Sequence, residues 1–75
     1  MTTEQTMGRR LRVFRAERGL SQTDLADQIG TTQKTVTSWE TGKALIPTRF
    51  LLKISQVYGV GLGYFDIVKK AAPAQ

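Results

Sequence analysis

Cysteine and histidine are both absent from this 75-residue chain. Without cysteine there can be no disulfide and no thiolate-bound metal, and without histidine there is no imidazole to act as a base or a metal ligand. A chain this short buries only about 60% of the surface that its unfolded form exposes, which is enough for one small core. We therefore predict a single domain whose stability comes from side-chain packing alone.

Long apolar runs are absent as well. Apolar stretches such as Phe50–Leu52 extend over a few residues, far short of the roughly 20 needed to cross a bilayer. The first residues, Met1–Thr6, lack a basic region followed by an apolar run, so no secretory signal is expected. These absences predict a cytoplasmic protein with no membrane partner.

Acidic residues are few relative to basic ones. Eleven Lys and Arg residues against six Asp and Glu residues give a net charge of +5 at pH 7. This excess favours a partner rich in phosphate, although good solubility alone would also account for it. Catalysis is not expected, because the carboxylates are scattered and neither Ser21 nor Ser38 has a histidine partner. Without a glycine-rich phosphate loop or a metal-ligand cluster, we also expect no metal, no cofactor and no small-molecule substrate.

Apolar residues recur three and four positions apart, which is the spacing of amphipathic helices. A glycine follows each such stretch, as is common at helix ends, and the pair Ser21 and Asp24 forms a capping signal. Thr31 or Thr32 would open the third helix, and Pro47–Thr48 the fourth. The stretches and their glycines are Met7, Leu11 and Phe14 before Gly19; Leu25 and Ile29 before Gly30; Val36 and Trp39 before Gly42; and Leu51, Ile54 and Tyr58 before Gly59.

A fifth, shorter helix is predicted over Leu62–Lys70, although its flanking glycines weaken it by up to about 1 kcal/mol each relative to alanine. Strand-like alternation is nearly absent. The predicted fold class is all-α, a compact bundle of five short helices over residues 7–70. Residues 1–6 and 71–75 carry nothing to bury, so we expect a flexible N-terminal arm and a flexible C-terminal tail.

The middle of the chain predicts two helices joined by a tight turn. Ala26 is small enough for a close helix crossing, and Gly30 permits the positive φ that turns the chain. If Val36 and Trp39 pack inward, a polar face is left outward on the third helix. Its side chains are of types that hydrogen-bond base edges, although any surface helix has a solvated polar face. The outward residues are Gln33, Lys34, Thr37 and Ser38.

Three motifs are specific in combination: LSQTDLA at 20–26, VTSWETGK at 36–43 and YGVGL at 58–62. The key positions are Gln22, Ala26, Gly30, Val36 and Trp39. From about Met7 to Asp66, this pattern resembles the phage repressor and Cro-like (Xre-type) helix-turn-helix family. The resemblance implies a lambda-repressor-like bundle of five helices whose third helix enters the major groove of double-stranded DNA. It further implies a bacterial or phage-encoded transcription regulator, most simply a repressor that binds a palindromic operator as a homodimer.

Two kinds of DNA contact are predicted. The outward face of the third helix, with Thr32 at its start, would contact bases, and these positions match those that contact DNA in the family. Phosphate contacts are expected from the positive start of the second helix and from nearby polar and cationic side chains. The predicted base-contacting residues are Thr32, Gln33, Lys34, Thr37 and Ser38, and the predicted phosphate-contacting residues are Gln22, Thr41, Lys43 and Arg10.

Arg15 has a different predicted role. It lies next to the stripe of Leu11 and Phe14, so we expect it to be partly buried and to need a carboxylate partner. Members of the family often pair this arginine with a glutamate that follows the anchor residue of the third helix, which here is Glu40. We predict a structural ion pair between Arg15 and Glu40.

The sequence leaves two questions open. A phage repressor, a restriction-modification controller and an antitoxin would look alike, and the alternative function is a protein-interaction module such as an antitoxin whose main partner is a protein. Apolar residues near the C-terminal end exceed what one core needs, which favours a homodimer over a monomer with scattered apolar surface residues. These residues are Leu45, Ile46, Tyr64, Ile67 and Val68.

Overall fold

A computed structural model describes residues 2–61 and 64–65 of the chain. Over these residues it has no strand and four helices: α1 (Thr3–Glu17), α2 (Gln22–Ile29), α3 (Gln33–Glu40) and α4 (Thr48–Tyr58). The predicted all-α fold class is therefore confirmed. None of these four helices is long and apolar enough to cross a membrane.

The described residues contain four helices where the sequence predicts five. Of the fifth, Leu62–Lys70, only Tyr64 and Phe65 are described, and the predicted tail over residues 71–75 also lies outside the described residues. The N–H of Tyr64 donates to the carbonyl of Gly61 at 3.1 Å, which closes a single turn. Glycine favours such a turn over helix, since it is about 1 kcal/mol less favourable than alanine inside a helix.

Capping boxes determine where the first two helices begin. The Ser21 hydroxyl accepts the Asp24 N–H at 2.9 Å, and the Asp24 carboxylate accepts the Ser21 N–H at 3.1 Å, as predicted. Thr2 and Gln5 exchange an equivalent pair of hydrogen bonds at 3.1 and 3.0 Å. Because this second box satisfies free N–H groups at the helix start, α1 begins at Thr3, and residues 3–6 are helical where the sequence predicts an arm.

Gly30 makes the turn between α2 and α3. Its φ of +83° is left-handed, a conformation that glycine adopts without steric cost. The N–H groups of Gly30 and Thr31 both donate to the Ala26 carbonyl, at 3.0 and 2.9 Å, so the end of α2 is satisfied. The Thr32 hydroxyl then accepts the Thr35 N–H at 3.2 Å and starts α3. The two helices are thus joined by three residues.

One apolar core holds the helices together. Phe14 of α1 is fully buried and meets Tyr58 and Phe65 edge to face, with ring centroids 5.2 and 5.4 Å apart. Trp39 of α3 is 2% exposed and lies 5.2 Å from the Phe50 ring. These aromatic side chains bury large areas in geometries that aromatic pairs favour. The buried apolar residues are Met7, Leu11, Phe14, Leu25, Ala26, Ile29, Val36, Trp39, Ile46, Leu51, Ile54 and Phe65.

The sequence predicts more apolar residues near the C-terminal end than one core needs. In the structure, some of these residues lie in the core and others on the surface. Ile46 is buried, whereas Leu45 and Tyr64 are exposed. Ile67 and Val68 lie outside the described residues. An exposed apolar set therefore exists, but Ile46 does not belong to it.

Tyr58 links α4 to α2. Its hydroxyl donates a hydrogen bond to Gln28 Oε1. Burial raises the pKa of Tyr58 above its ordinary value, and the negative charge of Asp24 raises the pKa further, while Arg18 opposes the shift. The phenol is consequently protonated at neutral pH and remains a hydrogen-bond donor.

The backbones of α1 and α3 touch at Gly8. A Cβ built at Gly8 would lie 2.0 Å from the carbonyl oxygen of Trp39 and 3.0 Å from the Cα of Glu40. Both neighbours are backbone atoms, so neither can rotate away as a side chain would. Any residue other than glycine would push α1 away from the C-terminal end of α3.

Arg15 and Glu40 join the same two helices. Arg15 Nε donates to Glu40 Oε2 at 2.7 Å, and Arg15 Nη2 donates to Glu40 Oε1 at 3.0 Å. The Glu40 side chain is only 3% exposed and that of Arg15 is 17% exposed. The hydrogen bond that Arg15 donates to Glu40 raises the pKa of the guanidinium, and burial partly offsets this rise. A second contact, from Arg15 Nη1 to the Leu20 carbonyl at 2.8 Å, fixes the guanidinium in place.

We expect Gly8→Ala to destabilise the protein by about 1–3 kcal/mol, because the added methyl group overlaps backbone atoms of α3. In a domain of this size, each 1 kcal/mol lowers the Tm by about 4–8 °C, which thermal unfolding followed by circular dichroism will detect. Gly61→Ala is the matched control, since a Cβ there meets no atom within 4 Å. Equal Tm values for the two variants would contradict the close backbone contact.

We expect Glu40→Gln to destabilise the protein by about 3 kcal/mol, because Arg15 keeps its charge in a largely buried position and loses its anionic partner. Chemical denaturation gives the free energy of unfolding. The control is Glu17→Gln, which removes a charge from an exposed position on α1. If both variants unfold at the same denaturant concentration, the ion pair has no structural role.

Candidate nucleic-acid interface

α3 is fixed by its apolar side, and its polar side forms one wall of a surface groove. Val36 and Trp39 are buried against the other helices. Gln33 and Lys34 are exposed, whereas Thr37 and Ser38 are half-buried. The chain after α3 continues the groove. Six residues line it: Gln33, Lys34, Thr37, Ser38, Thr41 and Lys43.

The groove is positively charged. Its lining includes the ammonium groups of Lys34 and Lys43 and, among the described residues that form it, no carboxylate. Lys34 also lies in the first turn of α3, where the free N–H groups of the helix favour anions. The side chains of Ser38, Lys34 and Lys43 make no hydrogen bond within the described part of the chain. These three side chains are therefore available to an external partner.

The hydroxyls at the two ends of α3 already have partners. Thr32 Oγ1 accepts the Thr35 N–H at 3.2 Å and lies 3.1 Å from Thr35 Oγ1. Thr41 Oγ1 donates to the Thr37 carbonyl at 2.8 Å. Because Thr41 Oγ1 donates, its oxygen lone pairs remain available to accept. Both side chains remain exposed, so they can still accept a hydrogen bond or offer a methyl contact.

Gln22 joins α2 to both α3 and the ion pair. Its Nε2 donates to Glu40 Oε1 at 3.0 Å. Its Oε1 accepts from Thr37 Oγ1 at 2.8 Å and from Gln33 Nε2 at 3.1 Å. The sequence predicts a phosphate contact at Gln22, and the structure adds a network with two groove residues that the sequence did not indicate.

Arg10 does not lie in this groove. Its guanidinium donates to the Tyr64 carbonyl at 2.9 Å, and with Arg9 and Val13 it lines a separate depression on α1. On an α-helix, Arg10 points away from the side on which Gly8 and Arg15 meet α3. The phosphate contact at Arg10 stays a prediction, at a place separate from the groove on α3.

Arg12 is a further cation on α1, one of the three arginines, with Arg9 and Arg10, that the sequence leaves free for a backbone contact. It lies between Gly8 and Arg15 on the side of α1 that meets α3. It is exposed and makes no side-chain hydrogen bond within the described residues. Helical periodicity could place Arg12 on this side of α1, but only once a residue such as Gly8 is known to contact α3.

The site can recognise a partner by hydrogen bonds and charge. It offers amide and hydroxyl groups in the centre and ammonium groups at Lys34 and Lys43. The residues that the structure describes contain no group of three or more side chains suited to hold a metal ion.

Comparison with known proteins identifies the family. A helix-turn-helix family model matches residues 11–65, which is well over half of the chain and includes all of α2, α3 and α4. Comparisons with curated proteins and with solved structures gave no significant match. The matched region contains the Gly30 turn and the polar face of α3 described above. The chain therefore belongs to the Cro/C1-type, Xre-like helix-turn-helix family of DNA-binding transcription regulators.

Proposed function

We propose that the protein is a repressor that binds a palindromic operator as a homodimer in the bacterial cytoplasm, with α3 in the major groove of double-stranded DNA. The observation that carries the proposal is the groove on the polar side of α3, which combines amide and hydroxyl side chains with the ammonium groups of Lys34 and Lys43. A major groove about 12 Å wide admits one α-helix. A repressor of this kind needs only to occupy its site to exclude polymerase.

The base contacts we propose follow from the chemistry of each side chain. Gln33 can pair with adenine N6 and N7, and Lys34 can donate to guanine O6 and N7. The Ser38 hydroxyl is free to donate or accept. Thr37 offers a methyl group and an acceptor oxygen, because its hydroxyl hydrogen already serves an internal hydrogen bond. Thr32 offers a methyl group.

Phosphate contacts would position the helix without reading sequence. We propose Lys43 and Thr41 beyond the end of α3, and Gln22 at the start of α2, where free N–H groups favour an anion. On α1, we propose Arg10 and, in addition, Arg12, since Arg12 lies on the side that faces α3.

Exposed apolar side chains support the dimer. Leu45 follows the groove and is 49% exposed, and Leu52 and Val57 of α4 are exposed as well. An interface between two copies of the chain would remove these side chains from water. A two-fold dimer would place two copies of α3 about 34 Å apart, which is one turn of B-DNA.

Selection from a pool of random duplexes, followed by mass measurement of the complex, tests the function and the oligomeric state together. We expect a palindromic sequence bound by two chains. The logarithm of the affinity should fall with the logarithm of salt concentration, with a slope of about −0.9 per neutralised phosphate. Weak, salt-insensitive association without sequence enrichment would favour the protein-interaction module instead.

Two classes of substitution separate base contacts from phosphate contacts. Gln33→Ala or Ser38→Ala should cost about 1–3 kcal/mol on the selected duplex and relax preference at one or two base pairs. Lys43→Ala should weaken all duplexes alike and reduce the salt slope by about 1. Lys53→Ala, on α4 and outside the groove, is the control for loss of one positive charge. Direct base reading is contradicted if Gln33→Ala and Lys43→Ala give the same profile across sequences.

A further inference from the structure

A chain of hydrogen bonds runs from the buried ion pair to the base-reading face of α3. It begins at Arg15, passes through Glu40 Oε1 to Gln22 Nε2 at 3.0 Å, and crosses the Gln22 amide. It then reaches Thr37 at 2.8 Å and Gln33 at 3.1 Å. The groove is thus connected to a carboxylate that is itself withdrawn from solvent.

Glu40 determines which way the Gln22 amide faces. An ionised carboxylate only accepts hydrogen bonds, whereas an amide has a donor end and an acceptor end. The Gln22 NH₂ group must therefore face Glu40, and its oxygen must face α3. The orientation follows from the chemistry of Glu40 and does not depend on how the amide atoms are assigned.

The orientation of Gln22 fixes what Gln33 and Thr37 can offer to DNA. Gln33 must donate one Nε2 hydrogen to Gln22, so its free oxygen and its second Nε2 hydrogen form an acceptor–donor pair. Adenine presents the complementary N6 donor and N7 acceptor in the major groove. The Thr37 hydroxyl has one hydrogen, which serves the Gln22 oxygen at 2.8 Å and the Gln33 carbonyl at 3.0 Å, so it can only accept from a base.

The opposite orientation would favour a different base. If Gln22 turned its NH₂ group toward α3, the oxygen of Gln33 would accept that hydrogen bond. Both Nε2 hydrogens of Gln33 would then face the groove, and guanine presents two acceptors there, N7 and O6. The choice between adenine and guanine therefore depends on a residue that lies outside the groove.

We propose that Glu40, acting through Gln22, is a positioning residue that makes Gln33 prefer adenine over guanine at the base pair it faces. This inference rests on the proposed function, since it requires α3 to read DNA. It assigns Gln22 a part in sequence preference in addition to a phosphate contact. Arg15 contributes by holding Glu40 in place as the acceptor.

The test compares binding to two duplexes that differ only by adenine or guanine at one position. Gln33→Ala first identifies that position, as the one at which its preference changes. The wild-type protein should favour adenine by about five- to 150-fold. Gln22→Met keeps the side-chain length and removes the amide, so the ratio of the two affinities should fall toward one.

Two further variants separate orientation from packing. The double variant Arg15→Met, Glu40→Met removes the anchor without stranding a charge, a replacement that often preserves stability, and its ratio should fall toward one. Gln56→Met, at an exposed position on α4, should leave the ratio unchanged. Circular dichroism confirms that each variant is folded at the assay temperature.

The proposal is overturned if Gln22→Met or the double variant weakens both duplexes equally and keeps the wild-type ratio. It is also overturned if the wild-type protein reads a defined sequence but does not prefer adenine at the position of Gln33. Failure of the proposed function gives a different result, because the wild-type protein would then enrich no sequence from the random pool.

Discussion

The contact between α1 and the C-terminal end of α3 is the constraint on which the rest of the structure depends. Gly8 lets the two backbones meet, and the Arg15–Glu40 pair joins them a short distance away. Together with the burial of Val36 and Trp39, this contact leaves α3 with only its polar side exposed. Which residues of α3 face outward is therefore decided by the packing of its apolar side.

Most of the fold could be predicted because its signals are local. Helical spacing, the Ser21–Asp24 capping box and the glycines at helix ends each act within a few residues of chain. The start of α1 was missed because the apolar pattern begins at Met7, whereas the Thr2–Gln5 box before it contains only polar residues. The predicted count of five helices depends on the segment Leu62–Lys70, and most of this segment lies outside the described residues.

The candidate site was predictable in its residue types and less so in its connections. Once Val36 and Trp39 are taken to pack inward, helical periodicity gives the residues on the outward face of α3. The partners of Gln22 all lie on α3, from its first residue to its last, and no spacing in the sequence reveals them. The same limit applies to α1, where several arginines look equivalent until the contact at Gly8 shows which side faces α3.

Trp39 gives the molecule a built-in optical reporter. It is the only tryptophan of the chain, and its indole packs beside the Phe50 ring. The wavelength of tryptophan emission depends on how much water surrounds the indole, and the tryptophan emission of this protein originates in α3 alone. One spectrum, recorded without any attached dye, follows whether that helix is seated against its neighbours.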